Sequence, residues 1–142
     1  MKEFKEGSVF FIPDIEYARK KFSFNKKYRL GKLIYISRYF KNMIGFLPSK
    51  DVFESAPDDI SEVEFLDYVI YTGNSELKNG NWEIIGHHNI LEKEILLTKR
   101  RVGNVIMIRD EQIRICTEDD YTKYENQGIA GLGAVHYLLM NL

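Results

Sequence analysis

The sequence predicts an α+β fold, predominantly antiparallel β-sheet, with a C-terminal helix packed on the sheet. Short apolar runs follow one another from residue 7 to residue 117 with turn residues between them, and the hydrophobic period changes from two to that of a helix only after residue 128. The 142 residues are 44% hydrophobic and 13% aromatic, enough to form the core of one domain, taken as residues 1–142. An open sheet and a partly closed barrel both fit this succession of strands.

The first third of the chain is predicted to hold four strands. Residues 7–13 read GSVFFIP, a β-rich run that ends at a proline, which cannot continue a central ladder. Residues 15–24 alternate loosely and fit a second strand. The nearly continuous apolar run at 30–37 predicts a buried third strand, and residues 43–47 add a short fourth one before Pro48.

The middle of the chain is predicted to form a long connection followed by two antiparallel pairs. Residues 48–62 are rich in Asp, Ser and Pro and indicate an irregular segment. A strand at 63–72 is expected to pair with a run resuming at Trp82, and residues 102–109 and 112–117 alternate as the arms of a tight hairpin around Asp110-Glu111.

The helix after residue 128 is predicted from one apolar stripe. Its members recur at helical spacing and are Ile129, Leu132, Val135, Leu139 and Met140.

Cysteine usage and hydropathy indicate a cytoplasmic protein that does not enter a membrane. Cys116 is the single cysteine, so it forms no intramolecular disulfide, and we expect it to be a buried strand residue in a reducing compartment. The N-terminal MKEFKEGS lacks the apolar core of a signal peptide, and no run approaches the ~18 apolar residues of a membrane span.

The charges are divided along the chain although the net charge is only −1. Residues 1–50 hold twelve Lys or Arg and four acids, whereas residues 51–98 hold two Lys and eleven acids. Folding either interleaves the two blocks into a neutral surface or leaves an acidic face that steers a basic partner. The balance argues against a general nucleic-acid binder, although the basic first third keeps a nucleic-acid adaptor as a weaker possibility.

No set of residues predicts a catalytic, cofactor or metal site. His87 and His88 are adjacent, so in a strand their rings point to opposite faces and do not share a metal easily. The acidic run DDISEVEFLD lacks the glycine of a calcium loop, and the GIAGLGAV segment has its glycines in the wrong order for a dinucleotide fingerprint. Neither Ser37 nor Ser49 stands in a nucleophile elbow, and Cys116 has no histidine nearby in sequence.

The opening of the chain resembles the immunity protein 26 family of bacterial polymorphic-toxin systems. The segment GSVFFIPD is similar to the family's first strand and RLGKLIYIS to its second, and the matching residues are Gly7, Phe10, Ile12, Pro13, Gly31 and Leu33. The stretches WEIIGHHNI, VGN and GLGAVHYLL agree with the family in order and length.

This resemblance implies a cytoplasmic immunity protein that binds and neutralises a cognate toxin domain, without catalysis and without a cofactor. The family's link to a small phosphotriesterase implies the alternative, a small metal-dependent hydrolase of phosphoesters. Many toxin domains are nucleases with basic clefts, so the acidic segment is the expected contact. The residues predicted to face the partner are Asp51, Phe53, Glu54, Asp58, Asp59, Glu62, Glu64 and Tyr68, with Phe53 or Tyr68 as apolar anchors.

Overall fold

A computed structural model describes residues 3–13, 28–140 and 142 of the chain. Eight strands and four short helices alternate in it, and the strands form two separate antiparallel sheets. The strands are β1 (Ser8–Pro13), β2 (Tyr28–Ile36), β3 (Met43–Pro48), β4 (Ile70–Gly73), β5 (Ile84–His87), β6 (Arg100–Val102), β7 (Val105–Ile108) and β8 (Glu111–Ile115). The helices are α1 (Ser75–Lys78), α2 (Glu92–Leu96), α3 (Glu118–Lys123) and α4 (Leu132–Met140).

The predicted α+β class with dominant antiparallel strands is confirmed. The larger sheet has the order β4-β3-β2-β1-β5 and the smaller one the order β6-β7-β8. Neither sheet closes on itself, so the alternative of a partly closed barrel is wrong. In the larger sheet β4 and β5 are the two ends of the order, and a barrel would require them to pair.

One face of the larger sheet carries an aromatic core. Phe10 stacks on Trp82 with ring centroids 5.4 Å apart, and Phe46 meets both rings edge to face. Val135 and Leu139 of α4 are buried in the same cluster, so the C-terminal helix packs on the sheet as predicted. The other face holds a second core around Ile34, Tyr35, Met43 and Leu47. Side chains from before and after β5 pack against it, namely Phe40, Phe65, Val69, Tyr71, Ile90 and Leu97.

Several element boundaries differ from the prediction. The run resuming at Trp82 forms β5 beside β1, so the expected pairing with the strand at 63–72 is wrong. Only the last part of that stretch becomes β4, because the chain before it is held by turns and by an isolated bridge between Ser49 and Phe65. The helix starts at Leu132, which leaves Ile129 outside it and 59% exposed. The predicted second strand at 15–24 lies outside the described residues.

The smaller sheet agrees with the predicted hairpin, with a shifted turn. Arg109 and Asp110 form the turn between β7 and β8, and Arg109 has a positive φ of 54°. Cys116 follows the end of β8 and is partly buried, so the expectation of a buried strand cysteine is wrong. Among the described residues, no helix is long and apolar enough to cross a membrane.

Candidate functional site

The acidic segment folds around a shallow depression of about 500 Å³. Six of the eight residues predicted to contact a partner line it, and they are Asp51, Phe53, Asp58, Asp59, Glu62 and Glu64. The other two, Glu54 and Tyr68, are exposed but do not line it. Folding therefore brings most of the predicted contact residues to one place on the surface.

Backbone pairing at the two ends of the segment holds the depression in shape. Lys50 N–H donates to the Glu64 carbonyl at 2.9 Å, and Leu66 N–H donates to the Pro48 carbonyl at the same distance. Ser49 is fully buried, and its hydroxyl accepts from Leu30 N–H and donates to the Asp51 carbonyl. These contacts tie the segment to β2 and to the end of β3, two interior strands of the larger sheet.

A short 3₁₀ turn, Ile60–Glu62, forms one wall of the depression. Asp59 caps it by accepting hydrogen bonds from the hydroxyl and the N–H of Ser61, which lower the pKa of the Asp59 carboxyl. Ile60 packs over Gly86 of β5, where an added Cβ would lie 2.6 Å from the Ile60 Cδ1 atom. A glycine at position 86 therefore lets the turn lie directly on the sheet.

Three of the five carboxylates that line the depression have no cationic partner among the described residues, whereas Asp51 interacts with the charge of Arg29. Among the described residues Lys50 is the one cation in the lining of the depression, and its Nζ lies 3.5 Å from a Glu64 oxygen with both side chains exposed. Such an exposed pair contributes little energy. Within the described residues, Asp58, Asp59 and Glu62 make no ion pair, so their charge faces solvent.

A second and larger opening, a cleft of about 880 Å³, lies where the two sheets meet. The N-terminal segment, the end of β2, α2 and the β7–β8 turn contribute its walls. No residue predicted from the sequence to be functional lines this cleft, which includes Glu6, Tyr35, Arg38, Arg109 and Asp110.

Asp110 is the most heavily hydrogen-bonded carboxylate of this cleft. It accepts from the Tyr35 hydroxyl at 2.5 Å, from the Ser37 hydroxyl at 2.7 Å and from the Arg38 N–H at 2.7 Å. Burial raises the pKa of Asp110, but these hydrogen bonds outweigh burial and hold that pKa below its usual range. The carboxylate is thereby fixed as an anion that pins the β7–β8 turn to β2.

Arg100 lies behind the cleft and is almost fully buried. Its guanidinium is close to the rings of Tyr35 and Tyr71, with centroids 5.1 and 5.0 Å away. It donates to the Gln127 side chain at 2.6 Å and to the backbone carbonyls of Thr98 and Arg109. The arrangement joins both sheets through one planar cation.

The two candidate histidines have separate surroundings. His87 is exposed and lies against Gly7, whereas His88 Nδ1 lies 2.7 Å from the ammonium of Lys32. Lys32 is fully buried and also donates to Glu94 at 2.6 Å and to the Asn89 carbonyl at 2.7 Å. All three ammonium protons of Lys32 therefore have acceptors.

Among the described residues, no three His, Cys, Asp or Glu side chains lie close enough together to hold a metal ion. Ser37 and Ser49 use their hydroxyls in turns, since Ser37 accepts from the N–H groups of Tyr39 and Phe40 and donates to Asp110. Neither hydroxyl is adjacent to a histidine that could act as its base.

Sequence reasoning missed Tyr35, Arg100 and Asp110 because their contacts span large separations. Tyr35 and Asp110 are 75 positions apart, and each resembles an ordinary strand or turn residue when its neighbours alone are considered. Sequence reasoning placed the hairpin turn at Asp110-Glu111, whereas the structure places it at Arg109-Asp110. Arginine is unusual at a turn position with positive φ, so no local pattern indicated Arg109 there.

In comparisons with protein-family models, with curated proteins and with solved structures, no match to this chain was found. The likeness to the immunity protein 26 family therefore rests on the residues of its sequence motifs.

Proposed function

We propose that this chain is an immunity protein that binds a cognate bacterial toxin domain in the cytoplasm and thereby neutralises it. The observation that carries the proposal is the gathering of six predicted contact residues around one acidic depression. Binding needs no catalytic set, because affinity comes from shape, apolar anchors and complementary charge.

The depression suits a basic partner surface. Its carboxylates are exposed, Lys50 is the one cation among the described residues of its lining, and Phe53 offers a half-buried ring among the charges. A toxin domain with a basic substrate cleft would present lysines and arginines to these carboxylates. The carboxylates would then occupy the toxin's cleft in place of the phosphates of its substrate. Opposite charges on the two surfaces accelerate encounter and do so most strongly at low ionic strength.

The proposal is tested with the double variant Asp58→Lys/Asp59→Lys and the toxin domain encoded by the gene directly upstream. We expect the association rate to fall by about tenfold or more at low salt, because reversed charges oppose encounter, and the defect to shrink at high salt. Stopped-flow fluorescence or surface plasmon resonance at several salt concentrations measures this.

The matched control is Glu118→Lys/Asp119→Lys, which makes the same change of charge at exposed positions of α3. We expect this control to associate within about twofold of the parent at each salt concentration. Equal slowing in both variants, or no binding of the parent protein to the toxin domain, would contradict the proposal.

The alternative implied by the resemblance is a small metal-dependent hydrolase of phosphoesters. It requires a pocket that joins a histidine to carboxylates, and in the described part of the chain His88 meets Glu94 only through the Lys32 ammonium. A zinc-supplemented assay with diethyl 4-nitrophenyl phosphate separates the two functions. Turnover that survives repurification and is lost in His88→Ala would replace the binding function with the enzymatic one.

A further inference from the structure

The cleft between the two sheets has an excess of hydrogen-bond donors. Among the described residues its formal charges cancel, since three cations and three carboxylates line it. The hydrogen bonds do not cancel, because two of the carboxylates are already engaged within the protein while most of the donors are not. The hydrogen-bonding groups of the cleft that remain available are therefore mostly charged donors, which bind anions.

The engaged carboxylates are Glu6 and Asp110. Glu6 accepts from the Ile36 N–H at 2.9 Å with one oxygen and pairs with the Arg109 guanidinium through the other. Asp110 accepts from two hydroxyls and from the backbone, as described above. Only Glu111, an exposed residue in the lining, has a carboxylate without such partners among the described residues.

The open donors belong to Lys5, Arg38 and Arg109. The side chains of Lys5 and Arg38 are exposed and make no hydrogen bond or ion pair within the part of the chain that the structure describes. Arg109 uses its guanidinium for Glu6 and keeps further N–H groups free, because a guanidinium carries five of them.

Apolar side chains complete the walls of the cleft. Phe4, Ile95 and Ile108 come from the N-terminal segment, α2 and β7, and all three are partly buried. The volume of about 880 Å³ lies within the range of sites that enclose small molecules. A bound molecule would thus meet apolar surface as well as cationic groups.

The backbone at Arg109 supplies an independent indication. Its φ of 54° is unusual for a residue other than glycine, asparagine or aspartate and costs about 1 kcal/mol or more. The conformation is held by Arg109 N–H donating to the Thr98 hydroxyl and by Arg100 donating to the Arg109 carbonyl. Glycine would relieve the strain but would remove the guanidinium from the cleft.

We propose that this cleft binds a small molecule that carries a carboxylate or phosphate on an apolar body. Lys5 and Arg38 donate to the anion with Arg109 beside them, and the apolar body lies against Phe4, Ile95 and Ile108. This site is separate from the acidic depression, since the two share no lining residue.

The test follows the isoleucine δ1 methyl signals by NMR while phenyl phosphate is added to the full chain. We expect the signals of Ile36, Ile95 and Ile108 to shift and those of Ile70 and Ile106, which lie outside the lining, to remain in place. Benzoate in place of phenyl phosphate reports whether the site prefers a carboxylate. Inorganic phosphate and phenol, which are the two halves of the probe, should each bind more weakly than phenyl phosphate.

The double variant Lys5→Gln/Arg38→Gln should weaken binding by about tenfold or more, because it removes two charged donors. The matched control Lys78→Gln/Lys123→Gln changes two exposed lysines outside the cleft and should bind like the parent. Unmoved cleft methyls with both anions, equal shifts with phenol, or unchanged affinity in the Lys5/Arg38 variant would each overturn the proposal. None of these outcomes depends on toxin binding, so this site and the immunity function can fail separately.

Discussion

Tyr35 and Tyr71 lie where the two sheets meet, and their hydroxyl groups have different surroundings. Tyr35 and Tyr71 lie on the same face of the larger sheet, and both rings contact the Arg100 guanidinium. The Tyr35 hydroxyl donates to Asp110, whereas the Tyr71 hydroxyl is buried and has no hydrogen-bond partner among the described residues. Burial raises the pKa of Tyr71 to about 12, so the hydroxyl stays protonated and unsatisfied at neutral pH.

Removing the two hydroxyls should therefore change stability in opposite directions. Tyr71→Phe should raise the free energy of unfolding by about 1 kcal/mol, since it deletes a buried group that lacks a partner. Tyr35→Phe should lower it by about 1.5–3 kcal/mol, since Asp110 loses a donor. Urea unfolding followed by the fluorescence of Trp82, the single tryptophan, measures both values. Losses of equal size in the two variants would mean that Tyr71 has a partner.

Residue-level patterns also explain what sequence reasoning missed in β2. A lysine in an apolar strand predicts a solvent-facing position, yet Lys32 is fully buried. Its acceptors come from Glu94, His88 and Asn89, more than fifty positions along the chain. The alternation of hydrophobicity within one strand carries no information about distant residues, and a buried lysine is stabilised by such distant partners.

At the scale of elements, the sequence predicted strands well and short helices poorly. β1, β2 and β3 form within two residues of the expected bounds, because their apolar runs are bordered by proline or turn residues. The helices α1, α2 and α3 have four to six residues, too few for a hydrophobic stripe to repeat. One of them nevertheless shows a helix-start signal in the sequence, because Thr117 stands three positions before Asp120, whose carboxylate accepts from the Thr117 N–H and hydroxyl.

The contacts of Asp120 at the N-terminus of α3 predict how the free energy of unfolding changes with pH. The Arg114 guanidinium, followed by the Thr117 N–H, holds the pKa of Asp120 well below its usual range. A carboxyl with a lowered pKa in the folded state contributes stability above its unfolded pKa of about 4 and loses it as the pH falls further. Asp120→Asn should consequently be less stable than the parent at neutral pH, and the difference should shrink below about pH 4.

Urea unfolding at several pH values between about 7 and 3 tests this expectation. Asp119→Asn is the matched control, because Asp119 is exposed in the same helical turn and Asp120 keeps its contacts. A constant difference between Asp120→Asn and the parent across that range would show that the carboxylate is not held by Arg114 in solution.

At the scale of the whole molecule, the division of charge along the chain is only partly erased by folding. Lys32 from the basic block is buried against Glu94 from the acidic block, as the interleaving alternative requires. Five of the six carboxylates at 51–64 line one depression instead, all except Glu54, as the acidic-face alternative requires. The sequence alone predicted both alternatives without favouring one, because the distribution of charge on the surface depends on which segments the strand order brings together.

Arg100 connects the two sheets, and its substitution should therefore lower the free energy of unfolding. Arg100→Met would leave the Gln127 side chain and the carbonyls of Thr98 and Arg109 without a donor, and we expect a loss of about 3 kcal/mol or more in unfolding free energy. Arg100→Lys should recover little, because an ammonium lacks the planar fork of donors with which Arg100 reaches Gln127, Thr98 and Arg109 at once.

Amide hydrogen exchange locates the effect of Arg100→Met. Exchange should accelerate more in β6 and β7, which contact the larger sheet through Arg100 and through Asp110, than in β2 and β3, which share an extended antiparallel ladder and the aromatic core. The neighbouring Arg101→Met is the control. Among the described residues the Arg101 guanidinium lies over the Tyr121 ring and donates to the carbonyls of Gly103 and Tyr124, and none of these residues belongs to the larger sheet. A uniform acceleration across both sheets would contradict the assignment of Arg100 as their link, because it would mean that the sheets unfold as one unit.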